Sequence, residues 1–400
     1  MRKTFENGYN IPENKFNELA EIFYGYEEYT LYNKTYFYNN YVKAKHLIDT
    51  IEYQEENIKN FIKGWQFSLK HLEREINGNH IQLSITDNCQ LKCLHCYNQN
   101  FERENKELCL DDIKMFVSKI NEVKTHFNYY NIPFHKITIT GGEPTLNKQF
   151  LDICDYFNEL NCQLVILSNG INISNKILDK LKTYNHVEIQ VSIDGIKQTH
   201  NKIRGEGSFE KSVSTIKKLT ENGITTTVAF TANSLNYKEF PKVVDYFKHF
   251  KNIKCVWADR YACEEDFNLN PLNKEQTIKL FKDVSVLNNS MSNIGKNRML
   301  MPNRKNPCSV GRGIVIDTFG NLKACGRLNI KVANLYEDTP EEISKKIKIF
   351  AIKFRALPVK CFDCSKLDIC FGGSCCVSFC ENKKSNIIDP GCEYLNFRNI

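Results

Sequence analysis

From residue 81 to about 290 the chain alternates short β-branched runs with longer amphipathic stretches, and that alternation leaves few folds open to it. Six runs read as strands: 81–86 (IQLSIT), 136–140 (KITIT), 162–168 (CQLVILS), 187–193 (VEIQVSI), 224–230 (ITTTVAF) and 253–259 (IKCVWAD). Helical stretches near 111–125, 148–160, 174–184, 208–222, 237–250 and 274–288 separate or follow them. This is the pattern of βα units with a parallel sheet, either a barrel or doubly wound, whose apolar strands are buried on both faces. In both architectures ligands bind at the carboxyl ends of the strands. Each motif considered below falls just after a strand.

Composition enters through the cysteines. Seventeen in 400 residues, with three between 89 and 96 and nine from 308 onward, suit metal sites better than disulfides if thiols are kept reduced. Scattered Cys109, Cys154, Cys162 and Cys255 read as ordinary buried thiols. The opening Met1 to Asn7 turns polar before any apolar run, and no stretch of about 18 apolar residues occurs. No secretion signal, no membrane span and a cytoplasmic location are therefore expected. The net charge of +7 is interleaved along the chain, which argues against nucleic acid as a partner.

Residues 1–79 carry no catalytic signal. A helix-like stretch at 13–24, an aromatic hairpin candidate at 28–39 and helical sequence to about 76 form a small α+β extension. Ile58, Phe61, Ile62 and Trp65 follow helical spacing and read as packing. Docking of a peptide leader by strand addition to the hairpin is the functional alternative.

After the first strand comes Cys89-xxx-Cys93-xx-Cys96. Three thiolates so spaced can hold three corners of a [4Fe-4S] cube and leave one iron open, whereas zinc would need a fourth ligand such as His95 or Cys109. The second strand ends in Gly141-Gly142-Glu143-Pro144, where glycines permit close backbone approach to a ligand and Glu143 offers an acceptor for an ammonium group. Ser168-Asn169-Gly170 closes the third strand. Ser192-Ile193-Asp194-Gly195 closes the fourth, followed by His200 and Arg204.

These motifs together resemble the radical S-adenosylmethionine (SAM) superfamily over residues 81 to about 260. The resemblance implies a partial (β/α)6 TIM-like barrel and a cluster on Cys89, Cys93 and Cys96 whose open iron chelates SAM. It also implies SAM contacts from His95, Gly141, Gly142, Glu143, Pro144, Ser168, Asn169, Ser192, Asp194 and Arg204. Ser192 is then assigned to the ribose and Arg204 to the carboxylate side, while Asp194 and His200 serve to fix the loop.

The remaining cysteines, Cys308, Cys325, Cys361, Cys364, Cys370, Cys375 and Cys392, resemble the seven-cysteine signature of the SPASM domain over residues 302–396. That resemblance implies two auxiliary [4Fe-4S] clusters, three clusters in all. The outer one is assigned to Cys361, Cys364, Cys370 and Cys392, the inner one to Cys308, Cys325 and Cys375. Four residues instead of the usual three follow Cys370, so Cys375 and the adjacent Cys376 both remain candidates; Cys376, Cys380 or Cys263 are candidates for the fourth inner position. Zinc with disulfides is the bland alternative. The expected domains are 1–79, 80–300 and 301–400.

Enzymes with this domain mostly modify peptides. The sulfatase-maturing kind usually has Asp after the cysteine matching Cys325, whereas this chain has Gly326 and then Arg327. The expected partners are a precursor peptide, cross-linked through a thioether or carbon-carbon bond, and a flavodoxin- or ferredoxin-type electron donor. Oxidation of cysteine or serine in a sulfatase, and a non-catalytic iron-sulfur protein, are the alternatives. Asp259 and Arg260, ending the sixth strand, are placed for a role but no general base is assigned.

Overall fold

The computed structural model describes residues 80–97, 104–125, 136–262, 269–290, 314–323 and 325–354, together with 361, 364, 373, 374, 376, 377, 380, 388, 389, 391 and 392. The expectations for residues 1–79 and for Cys263, Cys308, Cys370 and Cys375 lie outside the described residues.

Six parallel strands stand in sequence order: β1 (His80–Ser84), β2 (Lys136–Thr140), β3 (Gln163–Ser168), β4 (Val187–Ser192), β5 (Thr225–Ala232) and β6 (Ile253–Arg260). Between and after them run helices α1 (Leu110–Thr125), α2 (Phe150–Glu159), α3 (Asn175–Leu181), α4 (Lys197–Arg204), α5 (Ser208–Glu221), α6 (Phe240–Phe247) and α7 (Lys274–Ser290). This is the partial barrel of βα units. All six expected strands are present to within two residues at their ends. On the outer side Ile81 and Leu83, Ile137 and Ile139, Leu164 and Ile166, and Ile189 and Val191 alternate in one continuous core. Helix α1 packs Ile113, Phe116, Val117 and Ile120, an i, i+3, i+4, i+7 stripe, into the same core.

One feature departs from the expectation. The other face of the strands is mixed, carrying Gln82, Thr138, Gln190, Ser192 and Thr227 beside Val165, Leu167 and Ala229, with Gln82 opposite Thr138 and Gln190 opposite Thr227 in the register. Burial on both faces therefore does not mean apolar on both faces. The sheet also continues beyond the six barrel strands. Strand β7 (Ile314–Ile316) pairs parallel with β1, and β8 (Asn321–Lys323) and β9 (Lys331–Asn334) follow antiparallel. Helix α8 (Pro340–Phe354) then starts at a capping box, in which Thr339 Oγ1 accepts from Glu342 N at 3.3 Å and Glu342 Oε2 accepts from Thr339 N at 2.8 Å. Among the described residues no helix is long and apolar enough to cross a membrane.

Candidate functional site at the carboxyl ends of the strands

The cysteine loop after β1 is anchored through its stem. Gly142 N donates to Thr86 O and Glu143 N to Asn88 O, both at 2.7 Å. A Cβ at Gly142 would stand 2.2 Å from Asn88 O, and one at Gly141 2.3 Å from Thr86 O. The two glycines thus permit close approach as expected, but what approaches is the backbone leading to Cys89.

Glu143 is fully buried and its carboxylate is committed to the protein. Oε1 accepts from Thr145 Oγ1 at 2.8 Å and Ser168 Oγ at 2.9 Å, and Oε2 accepts from Asn169 N at 2.8 Å. Burial raises its carboxyl above the ordinary range, against the pull of these hydrogen bonds. Glu143 therefore locks the turn after β2 to the turn after β3. Asn169 reaches the cysteine loop in turn, its Nδ2 lying 3.7 Å from Cys89 Sγ and its Oδ1 accepting from Gln90 Nε2 at 3.2 Å.

Asp194, after β4, is the hub of the site and has no exposed surface. Its Oδ2 meets His95 Nε2 at 2.6 Å and Arg204 Nε at 2.5 Å, and its Oδ1 accepts from Thr231 N at 2.8 Å. Burial would raise the carboxyl, but the Arg204 guanidinium and His95 hold it well below the usual carboxylate range. Arg204 NH1 lies 3.9 Å from Cys93 Sγ, so the charge of the hub is relayed to the middle thiol of the loop. Asn236 supports the hub from behind, donating to Asp194 O at 3.0 Å. Sequence reasoning missed Asn236, Thr231 and the helix α4 itself, although His200, Ile203 and Arg204 already show a helical i, i+3, i+4 spacing. Ser192 ends β4 opposite Ala229.

The three thiols of the loop fit an iron-sulfur group. Burial pushes the Cys93 thiol up to about 11; Arg204 pulls it down, while Cys96, Asp194 and Cys89 add to the rise. Sulfurs that oppose one another's ionisation need a cationic centre before all three become thiolates. Asp194 holds His95 through Nε2 and so fixes the orientation of its ring beside the loop. A [4Fe-4S] cube distributes its thiolates over separate irons, so Cys89, Cys93 and Cys96 would each hold a different iron.

His200 is buried and neutral. Its Nδ1 accepts from Asp194 N at 3.1 Å, its ring meets Phe209 edge-on, and burial, followed by the Arg204 charge, lowers its pKa to about 3. The sign of the pH dependence follows. The unfolded chain binds this proton near pH 6.5 and the folded one only near 3, so His200 costs no stability above pH 6.5 and costs more as pH falls toward 3. His80, lowered to about 4 by burial, acts in the same direction. The urea midpoint is expected to drop between pH 6.5 and 4.5, and His200→Gln is expected to flatten that drop. An unchanged slope in the variant contradicts this.

The end of β6 is tied to the C-terminal segment through both of its charged residues. Asp259 forms an ion pair with Arg327, two residues beyond Cys325. Arg260 is buried and pairs with Asp389 through two bonds of 2.7 and 2.6 Å. Asp389 also accepts from Ser374 N at 2.6 Å and Gly391 N at 2.7 Å, organising the approach to Cys392. Arg260 is therefore a structural clamp, and Asp259 stands in an ion pair instead of free at the barrel mouth. The clamp had one faint signal, the Asp389-Pro390-Gly391-Cys392 turn sequence. Cys361 and Cys364 bracket a tight turn, Cys364 N donating to Cys361 O at 3.1 Å, and Cys325 and Cys376 lie sulfur to sulfur at 3.5 Å.

A parallel open barrel with a three-cysteine loop after its first strand, held by groups from the ends of the next four, defines the radical SAM class, and residues 83–247 match the Radical SAM superfamily. Residues 83–247 thus form a radical SAM domain, the domain with which enzymes of that superfamily use SAM and a [4Fe-4S] cluster. It is 26% identical over 339 residues to Fe-coproporphyrin III synthase of Methanosarcina barkeri, covering 72% of this chain and 81% of that protein. To the sporulation killing factor maturation protein SkfB of Bacillus subtilis it is 33% identical over 164 residues, 41% of this chain and only 38% of that protein. Among solved structures, native anSMEcpe with bound AdoMet and Kp18Cys peptide superposes with a TM-score of 0.64 at 17% identity, over 79% of this chain and 94% of that one.

Proposed function

We propose that this chain is a peptide maturase, which binds SAM through the open iron of a cluster on Cys89, Cys93 and Cys96 and cross-links a ribosomally made precursor peptide. The observation that carries it is the convergence on one cysteine loop of Asn169 beside Cys89 and Arg204 beside Cys93, from the ends of two further strands. A cluster held by Cys89, Cys93 and Cys96 would supply the electron for reductive cleavage of SAM and so the means to take hydrogen from a substrate. The chain's own residues orient and shield. Gly141, Gly142 and Pro144 shape the turn over the loop, Glu143 and Ser168 fix Asn169, and Asp194 aligns His95 and Arg204. His95 Nδ1 is buried without a hydrogen-bond partner among the described residues, which suits a contact from SAM. Ser192 is proposed for the ribose.

The division into 1–79, 80–300 and 301–400 belongs to this reading, as do two auxiliary [4Fe-4S] clusters on the C-terminal cysteines and a small reducing protein as electron donor. The names of SkfB and of the peptide-bound anSMEcpe structure support a peptide substrate. Cross-linking is favoured over sulfatase-type oxidation because Gly326 stands where that kind has Asp, and a Cβ there would meet Gln82 Nε2 at 2.7 Å. Anaerobic reconstitution is expected to give about twelve irons per chain, from three four-iron cubes. Coexpression with a short cysteine-containing peptide encoded nearby should give a product two hydrogens lighter by mass spectrometry. No change in mass, or efficient oxidation of a sulfatase peptide instead, overturns the cross-linking reading.

A further inference from the structure

Strands β1 and β6, the first and last of the barrel, do not pair with each other, and the segment after β8 touches both. A Cβ at Gly326 would stand 2.7 Å from Gln82 Nε2 on β1, and the Arg327 side chain reaches Asp259 on β6. The backbone on either side is anchored. Cys325 and Leu328 are buried in one small core, and Arg327 N donates to Cys325 Sγ at 3.4 Å. Arg327 is therefore positioned before any ligand arrives, which lowers the entropy cost of binding one.

The face of β6 that Arg327 meets is open. Val256, Ala258 and Arg260 are buried on the outer side, whereas Cys255, Trp257 and Asp259, in register with Thr227, Ala229 and Thr231, are only half-buried. Thr231 N donates to Asp194, the hub of the site. Tyr261, two residues beyond Asp259, packs on Tyr97 and His95 of the cysteine loop with ring centroids 6.0 and 6.1 Å away. The Arg327–Asp259 pair thus stands at the barrel mouth beside the cysteine loop.

Its two members are not equivalent. Asp259 has both oxygens engaged, Oδ1 accepting from Arg260 N at 2.8 Å and Oδ2 meeting Arg327 NH2. A guanidinium offers five N–H donors in a planar fork, and among the described residues Asp259 is the only partner of this one, through NH2. The Arg327 side chain is 29% exposed. Its Nε and NH1 edge therefore remains for a second planar acceptor, the arrangement that a carboxylate fits. Gly326 has no side chain, so no carboxylate next to Cys325 competes for that edge.

We infer that Arg327 is a specificity residue, which docks a carboxylate of the substrate peptide, either an Asp or Glu side chain or the C-terminal carboxylate. The inference rests on the peptide-maturase reading and names a chemical group that its site selects.

The test measures fluorescence anisotropy of three probes on the full chain, reconstituted anaerobically with SAM present. The probes are dansyl-Gly-Asp-Cys-Gly-amide, the same amide with Asn in place of Asp, and that Asn peptide with a free C-terminus. Wild type is expected to bind a carboxylate probe about tenfold more tightly than the Asn amide, the worth of a charge-assisted hydrogen-bonded pair. Preference for the Asp amide assigns the side chain as the source, and preference for the free acid assigns the C-terminus. Arg327→Gln is expected to abolish the preference. Asp259→Asn, which relieves the guanidinium of its counter-ion, is expected to bind the preferred probe at least as tightly as wild type, whereas a merely structural ion pair predicts the same loss in both variants. Equal or absent binding of all three probes by wild type, an undiminished preference in Arg327→Gln, or equal losses in the two variants overturns the assignment. Should Arg327→Gln lose the wild-type circular dichroism spectrum, Arg327→Lys is measured in its place; a weakened preference then supports the assignment and an undiminished one overturns it. The maturase reading fails separately, through an unchanged mass of the coexpressed peptide, a measurement in which these probes take no part.

Discussion

Asp194→Ala is expected to lower the unfolding free energy by about 3–5 kcal/mol, the range for breaking a buried ion pair from one side. The carboxylate is wholly buried, so its removal leaves the Arg204 guanidinium in the interior without its counter-ion. The same change strands the Thr231 N–H, frees His95 from its only described partner at Nε2, and releases the guanidinium from its fixed position beside Cys93. Stability and cluster uptake should therefore fall together. Asp194→Asn keeps the volume and one acceptor but removes the charge, and is expected to fall between wild type and Ala. Urea unfolding at pH 7 with iron analysis of the same preparations reads both effects. A loss below about 1 kcal/mol in Asp194→Ala, the worth of an exposed pair, contradicts the assignment of Asp194 as the hub.

The barrel was legible because its signal is local. KITIT at 136–140 becomes β2 residue for residue, and the helical stretch at 208–222 becomes α5 with one residue trimmed from its end. The positions of the motifs after strands were legible for the same reason. What each motif residue touches was not, because that depends on contacts remote in sequence. Glu143 reads as an acceptor for a ligand's ammonium, and its partners within the fold, Thr145, Ser168 and Asn169, were not legible because only the fold brings the β3 turn over the β2 turn. Arg260 reads as a site residue at the end of β6, yet its partner Asp389 is 129 residues away. Strands β7 to β9 were missed because three- and four-residue runs carry too little alternation to be told from loops. Helix α4 was hidden by its motif, since residues 197–204 contain two lysines, a histidine and an arginine and little apolar periodicity beyond Ile203.

Cys93→Ala is expected to abolish reductive cleavage of SAM, the largest functional effect of any single change here. Cys93 is the buried middle member of the loop and one of only three thiols available to the first cluster, and its replacement also removes the sulfur beside Arg204. Because Cys93 makes no part of the continuous barrel core, the fold should survive the change. Iron at the C-terminal cysteines should survive with it, which separates loss of one cluster from general collapse. The decisive measurement is the yield of 5′-deoxyadenosine when the anaerobically reconstituted protein is incubated with SAM and dithionite. Release of 5′-deoxyadenosine by the wild type and none above background by Cys93→Ala is the result expected, whereas an equal yield from both proteins would contradict a SAM-cleaving cluster on Cys89, Cys93 and Cys96.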